Sequence, residues 1–406
     1  MLRIKRRVRL AQPNEIAPVT PSRGFVVVAL GVTQTLAWAS SYYLPAILAD
    51  SIGSSIHVPS SWVFAAFSGA LLIAAFAGPA VGRAIDRRGG REVLLLSNVV
   101  LAAGLVLLAA ANGPVLLAIA WAVLGIGMTL GLYDAGFATL ATIYGHNARG
   151  PMTGITLIAG FASTVSWPLT TVLNDALGWR ETLLVWAGFN ILLGLPLNAL
   201  LPKAVRAAQH VHAAAQSVGW KPYREMFLLA FVFAAAWFVT GSMAAHLPGL
   251  LERAGASHVE AIAAAALVGP AQVAARMIEF FVLRSVHPLV SARVAALLHP
   301  LGAAIFAVAG PAAVIPFTIF YGAGNGLMTI ARGTVPLAVF GPHGYGERTG
   351  LLGAPSRAAQ ALAPLLFGLM LDAMGPAVIA VSSALCLAAF AALLLLRAAP
   401  PELRPA

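Results

Sequence analysis

Asp134, His246, Arg276, Glu279, Arg332 and Arg357 are ionisable residues placed inside long apolar runs. A charged side chain at the centre of a bilayer costs at least about 2.5–3.5 kcal/mol, so each must pair with another group or face water. Arginine grips a carboxylate through two parallel N–H···O bonds, and three such arginines against two acids favour an anionic substrate. Arg332, Arg276 and Arg357 are the expected anion ligands, although Arg357 lies close enough to the end of its run to snorkel outward. Asp134, Glu279 and His246 are the expected proton carriers, since imidazole titrates near pH 6.5. Arg276 and Glu279 stand three residues apart on one helical face and can also pair with each other. Gln34, Tyr42, Tyr43 and Asn325 supply neutral hydrogen-bonding groups in similar settings.

Other chemistries are excluded by what the sequence lacks. There is no G-x-x-x-x-G-K-[ST] phosphate loop and no H-E-x-x-H metal helix. The one cysteine, Cys386, excludes a disulfide framework or a cysteine-rich metal site. No nucleophile–base constellation emerges, so neither an enzyme nor a cofactor or metal site is expected, and any work must draw on gradients.

The elements that position these residues follow from composition. Of 406 residues, 60% are apolar and 10% charged, whereas soluble domains carry about 25% charged residues. A spanning helix needs about 20 apolar residues, and twelve such stretches recur at 24–48, 61–83, 92–111, 115–144, 151–173, 181–201, 225–250, 259–283, 291–309, 312–340, 350–371 and 376–397. These are spans 1 to 12 of an all-α, polytopic membrane protein. The longest interior break, 202–224, reads as a linker between six-helix halves at 24–201 and 225–397, with tails at 1–23 and 398–406.

An even number of spans puts both termini on one side, and Lys/Arg bias says which. Twenty of the 25 Lys and Arg fall on the side of the termini, Arg180 and Arg253 fall opposite, and three lie within spans. The termini are therefore expected in the cytoplasm, and the bacterial inner membrane is the expected setting. The net charge of +11 is a topology signal whose partner is anionic lipid rather than nucleic acid. A monomer with a small anionic substrate is expected.

Sliding the chain on itself by about 197 residues superimposes Gly125-x-Gly127 on Gly322-x-Gly324, Gly136 on Gly333 and Leu140 on Leu337. Nearby offsets match Arg149 with Arg348 and Pro168-Leu169 with Pro364-Leu365. Together they indicate duplication of a six-helix unit. Arg332 then falls one place from the equivalent of Asp134.

Between spans 2 and 3 runs Gly82-Arg83-Ala84-Ile85-Asp86-Arg87-Arg88-Gly89-Gly90-Arg91. Gly82 permits close helix approach. Asp86 can accept hydrogen bonds from backbone N–H groups at a helix N-terminus or from arginine, and the arginines suit lipid phosphates. This segment resembles the loop signature G-x-x-x-D-R-x-G-R of the major facilitator superfamily, which marks Gly82, Asp86, Arg87, Gly90 and Arg91 as a conformational motif. The resemblance implies two pseudo-symmetric six-helix halves around a cavity lined by spans 1, 4, 7 and 10, with Asp134 and Arg332 on opposite sides of one site. An anion then displaces Asp134 from Arg332, or a proton on Asp134 releases the arginine.

A second stretch, Gly269-Pro270-Ala271-Gln272-Val273-Ala274-Ala275-Arg276, is similar to a monocarboxylate porter pattern in which a membrane arginine binds the substrate carboxylate one turn after a proton-coupling aspartate. That likeness gives the anion role to Arg276 and sets Gln272 beside it, in place of the aspartate. Where that family has a lysine after a proline in span 1, this chain has Pro45-Ala46. Tyr144, Arg149 and Gly154 resemble the same family's entry to span 5. Ala275-Arg276-Met277-Ile278-Glu279 also resembles Gly82-Arg83-Ala84-Ile85-Asp86, as a decayed copy of the loop motif. The leading expectation is a secondary transporter of a small, monocarboxylate-like organic anion, with proton symport as its coupling mode. Proton-driven efflux of drug-like molecules and a membrane receptor or scaffold on the same fold are the alternatives.

Overall fold

The computed structural model describes residues 21–203 and 221–396. Residues 1–20 and 397–406 of the tails and most of the 202–224 linker lie outside the described residues. The twelve spans form the helices of two six-helix halves, and four runs expected to be continuous are interrupted. Span 1 is Arg23–Ala39 and, after a turn, Pro45–Ser55; span 2 is Ser60–Arg88 and span 3 Gly90–Ala109. Span 4 is Pro114–Gly131 and Tyr133–Tyr144, span 5 Arg149–Ala159 and Ala162–Leu177, and span 6 begins as Trp179–Phe189. It continues through a π turn, Asn190–Gly194, into Leu195–Ala199. Span 7 is Lys221–Arg253, span 8 His258–Ala266 and Val268–Phe281, and span 9 Pro288–Ala309. Val314–Phe340, Tyr345–Met374 and Val378–Leu394 are spans 10, 11 and 12.

A break inside a membrane helix frees backbone groups that must find partners. In span 4 the extended residue Leu132 (φ −82°, ψ −174°) interrupts the helix, and the Gln34 side chain donates to the Gly131 carbonyl at 2.6 Å. The helix restarts at Tyr133, which puts Asp134 in a first turn where the helix dipole favours negative charge. Spans 2 and 3 are joined through one residue, Gly89, whose φ of 84° disfavours any residue with a Cβ.

Apolar packing is mostly confined within each half. Buried clusters gather Leu48, Leu101, Trp121 and Leu183 in the first half, and Val232, Phe233, Ala295 and Val335 in the second. Inside the first half a neutral ladder links spans 1, 3 and 6. Asn198 donates to the Asn98 side-chain oxygen at 2.7 Å, Asn98 to Asn190 at 3.3 Å, and Asn190 to Ser40 Oγ at 3.0 Å. Thr33 closes it on Asn198 at 3.1 Å.

The halves meet most closely where span 2 packs on span 11. Gly78-x-x-x-Gly82 faces Gly346-x-x-x-Gly350, and small residues at this spacing let backbones touch. A Cβ on Gly82 falls 1.9 Å from the Gly346 carbonyl oxygen, and one on Gly350 falls 2.5 Å from that of Gly78. Span 11 starts at Tyr345, about a turn before the expected 350, because its first amides are claimed by Asp86.

Candidate functional site

Asp86 accepts the backbone N–H of Gly346 on Oδ1 at 2.8 Å and that of Glu347 on Oδ2 at 2.9 Å. Arg83 reaches the Glu347 carboxylate at 3.2 Å. The loop motif of the first half thus caps a helix of the second. Gly90 is packed so that a Cβ overlaps Thr139 Oγ1. Arg87 is exposed and Arg91 half-buried, and among the described residues neither hydrogen-bonds to a protein group.

A second contact of this kind lies at the same end. Glu279 accepts from Arg149 at 2.9 Å and from Ser291 Oγ at 2.7 Å. Arg149 also donates to the carbonyls of Leu283 and Val286, so the start of span 5 is tied to the turn after span 8. The expected Arg276–Glu279 pair does not form, because Arg149 takes the carboxylate.

Asp134 is the centre of a buried triad across the boundary between halves. Arg332 donates Nε to Oδ1 at 2.8 Å and Nη2 to Oδ2 at 2.9 Å. Arg357 donates Nη2 to Oδ2 at 2.5 Å and Nη1 to the Ala74 carbonyl at 3.0 Å. Arg357 therefore does not snorkel; it turns inward to the carboxylate and is 8% exposed. The Arg332 guanidinium also lies 4.4 Å from the Trp237 ring centroid, a cation–π contact. Space for the triad comes from Gly353, where a Cβ falls within 3.2 Å of all three charged groups. The void beside it, lined by Gly78, Thr129, Thr349 and Gly350, measures about 10 Å³, at the lower edge of what one water needs. Two cations share one carboxylate, so the triad carries a net charge of +1 while Asp134 is ionised.

Arg276 has a different setting. It is 5% exposed, donates to Gln272 Oε1 at 3.3 Å and to the Thr156 carbonyl at 3.5 Å, and its Nε has no partner. Among the described residues no carboxylate lies within ion-pair distance of it. Gly160, at the break in span 5, makes room for it, since a Cβ there falls 2.3 Å from Nη1. Elsewhere in the first half, Tyr43 and Tyr133 pack with Trp38 at centroid separations of 5.9 and 5.1 Å.

The remaining expected residues are divided among other contacts. Gln360 donates to the Tyr42 hydroxyl at 2.6 Å across the halves. Thr240 donates to Asn325 at 3.0 Å between spans 7 and 10. His246 Nε2 bonds the Pro364 carbonyl at 2.7 Å, and Gln34 is the group that bridges the break in span 4. Sequence reasoning missed the site roles of Trp38, Trp237 and Gln360. Trp38 was the most accessible of these, one helical turn before Tyr42 on the same face.

Comparison with known proteins adds the family. The sequence matches the profile of the Major Facilitator Superfamily over residues 26–346. A structure of the human organic anion transporter MFSD10 (TETRAN) superimposes with a TM-score of 0.67 at 15% identity, covering 92% of this chain and 100% of that one. The proton:xylose symporter XylE bound to 6-bromo-6-deoxy-D-glucose gives 0.69 at 15% identity, over 91% of this chain and 95% of its own. A curated sequence relative, an uncharacterized 38 kDa protein in the 23S RNA operon of Thermoproteus tenax, is 29% identical over 180 residues. That match spans 44% of this chain and 43% of the relative, less than half the length of either. With the family profile covering most of the sequence and the fold shared over nearly all of it, the chain belongs to the Major Facilitator Superfamily of membrane transporters.

Proposed function

We propose that this secondary transporter moves a small organic anion, which it seats on Arg276. The observation that carries the reading is a buried guanidinium with no acidic partner among the described residues. An uncompensated buried charge is strongly unfavourable, and an arriving carboxylate relieves it with charge-assisted bonds worth about 1.5–3 kcal/mol. Arg332 and Arg357 are engaged by Asp134 and are freed only when that carboxylate is protonated or displaced. Arg276 is thus the first contact, and the triad is the element that couples binding to movement. Asp134 stands in the first turn of the second helix of span 4, so a shift of that helix start acts on the triad.

Rocking of the two halves about a midplane site breaks the Asp86 and Arg149 contacts at one end. We assign that end, with the termini, to the cytoplasm of a bacterial inner membrane, in contact with anionic lipid. Proton coupling runs through Asp134, and the unit is a monomer. The two fold neighbours carry substrates of different charge, so they support the transport reading and leave the anion to this chain's own residues. Efflux of drug-like molecules is the second reading, favoured by the aromatic surface of Trp38, Tyr42 and Tyr43.

Thermal unfolding of purified protein with benzoate, L-lactate, inorganic phosphate and the cation tetraphenylphosphonium separates the readings, because a ligand of the folded state raises the apparent midpoint. A carboxylate that stabilises wild type but not Arg276→Ala is the expected result. Stabilisation by the cation alone, or by carboxylates equally in the variant, overturns the assignment.

A further inference from the structure

We propose that a groove in the second half holds one phosphatidylethanolamine molecule, with an acyl chain between spans 9 and 12 and the head group on the ion pair of Arg253 and Asp372. The proposal is independent of the anion reading.

Spans 9 and 12 run antiparallel and are tied along part of their length. Arg293 donates Nε and Nη2 to the Leu393 carbonyl at 3.2 and 3.0 Å, and His299 Nε2 bonds Ser382 Oγ at 2.9 Å. Beyond His299 the two helices diverge. Ala303, Ala304 and Ala307 on one side and Ala377 and Ala380 on the other leave the space between them unfilled, a cavity of about 650 Å³. Ala304, Ala307 and Ala380 are exposed, so the cavity is a groove open to the surface that faces lipid. An unfilled apolar void forfeits the dispersion contacts of its walls, and within a bilayer the material at hand to restore them is an acyl chain.

The depth matches that occupant. Pro300 and Gly310, which both line the groove, lie about 15 Å apart along the helix, half of a hydrocarbon core about 30 Å thick. The groove therefore runs through one leaflet, from the turn after span 9 to the middle of the bilayer.

The mouth selects the head group. Arg253, in the groove lining, donates Nη2 to Asp372 Oδ1 at 2.8 Å and Nη1 to the Leu371 carbonyl at 3.0 Å. The two charged side chains are 47% and 69% exposed, and an ion pair this open adds little stability of its own. The guanidinium has donors beyond those two bonds and suits a phosphate. The carboxylate has lone pairs left for an ammonium. An anionic head group is opposed by the Asp372 charge, and a choline head group brings no N–H for it. The ethanolamine zwitterion answers both charges. Every lining residue belongs to the second half, so rocking leaves the groove intact. That separates it from a cargo site, which must lie between the halves.

The test is native mass spectrometry of the purified, delipidated full-length protein titrated with dioleoyl phosphatidylethanolamine, phosphatidylcholine and phosphatidylglycerol. One phosphatidylethanolamine should bind about ten-fold more tightly than either of the others, the worth of one charge-assisted hydrogen bond. Asp372→Asn should erase that preference, and Arg253→Gln should weaken all three lipids. Ala304→Phe fills the groove from a surface position and should abolish tight binding with the ion pair untouched; it also guards against an arginine variant that fails to fold. Equal affinities for the three lipids in wild type, or phosphatidylglycerol as the tightest, overturn the proposal at the head group. Unchanged phosphatidylethanolamine binding in Ala304→Phe overturns it at the groove.

Discussion

Arg332 reaches from the second half of the protein to grip both carboxylate oxygens of Asp134 in the first, at 2.8 and 2.9 Å. Arg357 adds a third contact from the same side. Removing one partner of a buried pair leaves an uncompensated charge and costs about 3–5 kcal/mol, whereas removing all partners together is far milder. Asp134→Asn should therefore lower the thermal midpoint clearly. Asp134→Asn combined with Arg332→Gln and Arg357→Gln should recover part of the loss. A triple variant less stable than the single one contradicts the charge account.

Gly82 and Gly346 leave no room for a methyl group. Gly82→Ala should hold spans 2 and 11 apart and depopulate the conformer described above. In proteoliposomes the expected outcome is transport reduced at least ten-fold with equilibrium substrate affinity changed less than three-fold, a bias of roughly 1.4 kcal/mol or more between conformers. Wild-type transport by Gly82→Ala speaks against backbone contact at this seam.

Asp86→Asn tests the neighbouring contact with less steric disturbance. The amide keeps one acceptor oxygen and loses the charge that the two N–H groups of Gly346 and Glu347 share. Hydrogen bonds to a charged group are worth about 1.5–3 kcal/mol, so turnover should fall while substrate affinity stays close to wild type. Strongly weakened binding with intact conformational exchange points to a substrate role for the loop instead.

Membrane orientation is checked by accessibility. Native Cys386 is buried, so a single introduced cysteine dominates labelling in intact cells. Ser257→Cys should react with an impermeant maleimide from outside, and His343→Cys only after the membrane is permeabilised. The reverse pattern inverts the topology drawn from the Lys/Arg bias.

Much of this architecture is legible in the sequence because it depends on local composition. Apolar length marks the spans, and the repeat offset brings Asp134 next to Arg332. The helix-capping role of Asp86 follows from its place in a basic loop. What sequence does not reveal is which distant span answers a given charge. Glu279 is closer in sequence to Arg276 than to Arg149, yet the rotation of span 8 and the entry of span 5 give it to Arg149. Arg357 reads as near an interface until span 11 begins at Tyr345 and carries it deeper. The break at Leu132 has no glycine or proline at the residue itself; it depends on Gln34, some hundred residues away, accepting the duty of the missing helical bond.

The Asn98, Asn190 and Asn198 ladder is built from amides, which do not titrate and respond little to an electric field. The buried ion pairs, Arg332 and Arg357 with Asp134 and Arg149 with Glu279, all join one half to the other. A change of charge or field at the seam consequently acts on the joint between the halves and leaves the six-helix blocks stiff. The molecule is a pair of insensitive levers with a responsive joint, and the stimuli that reset it do so without loosening what must turn.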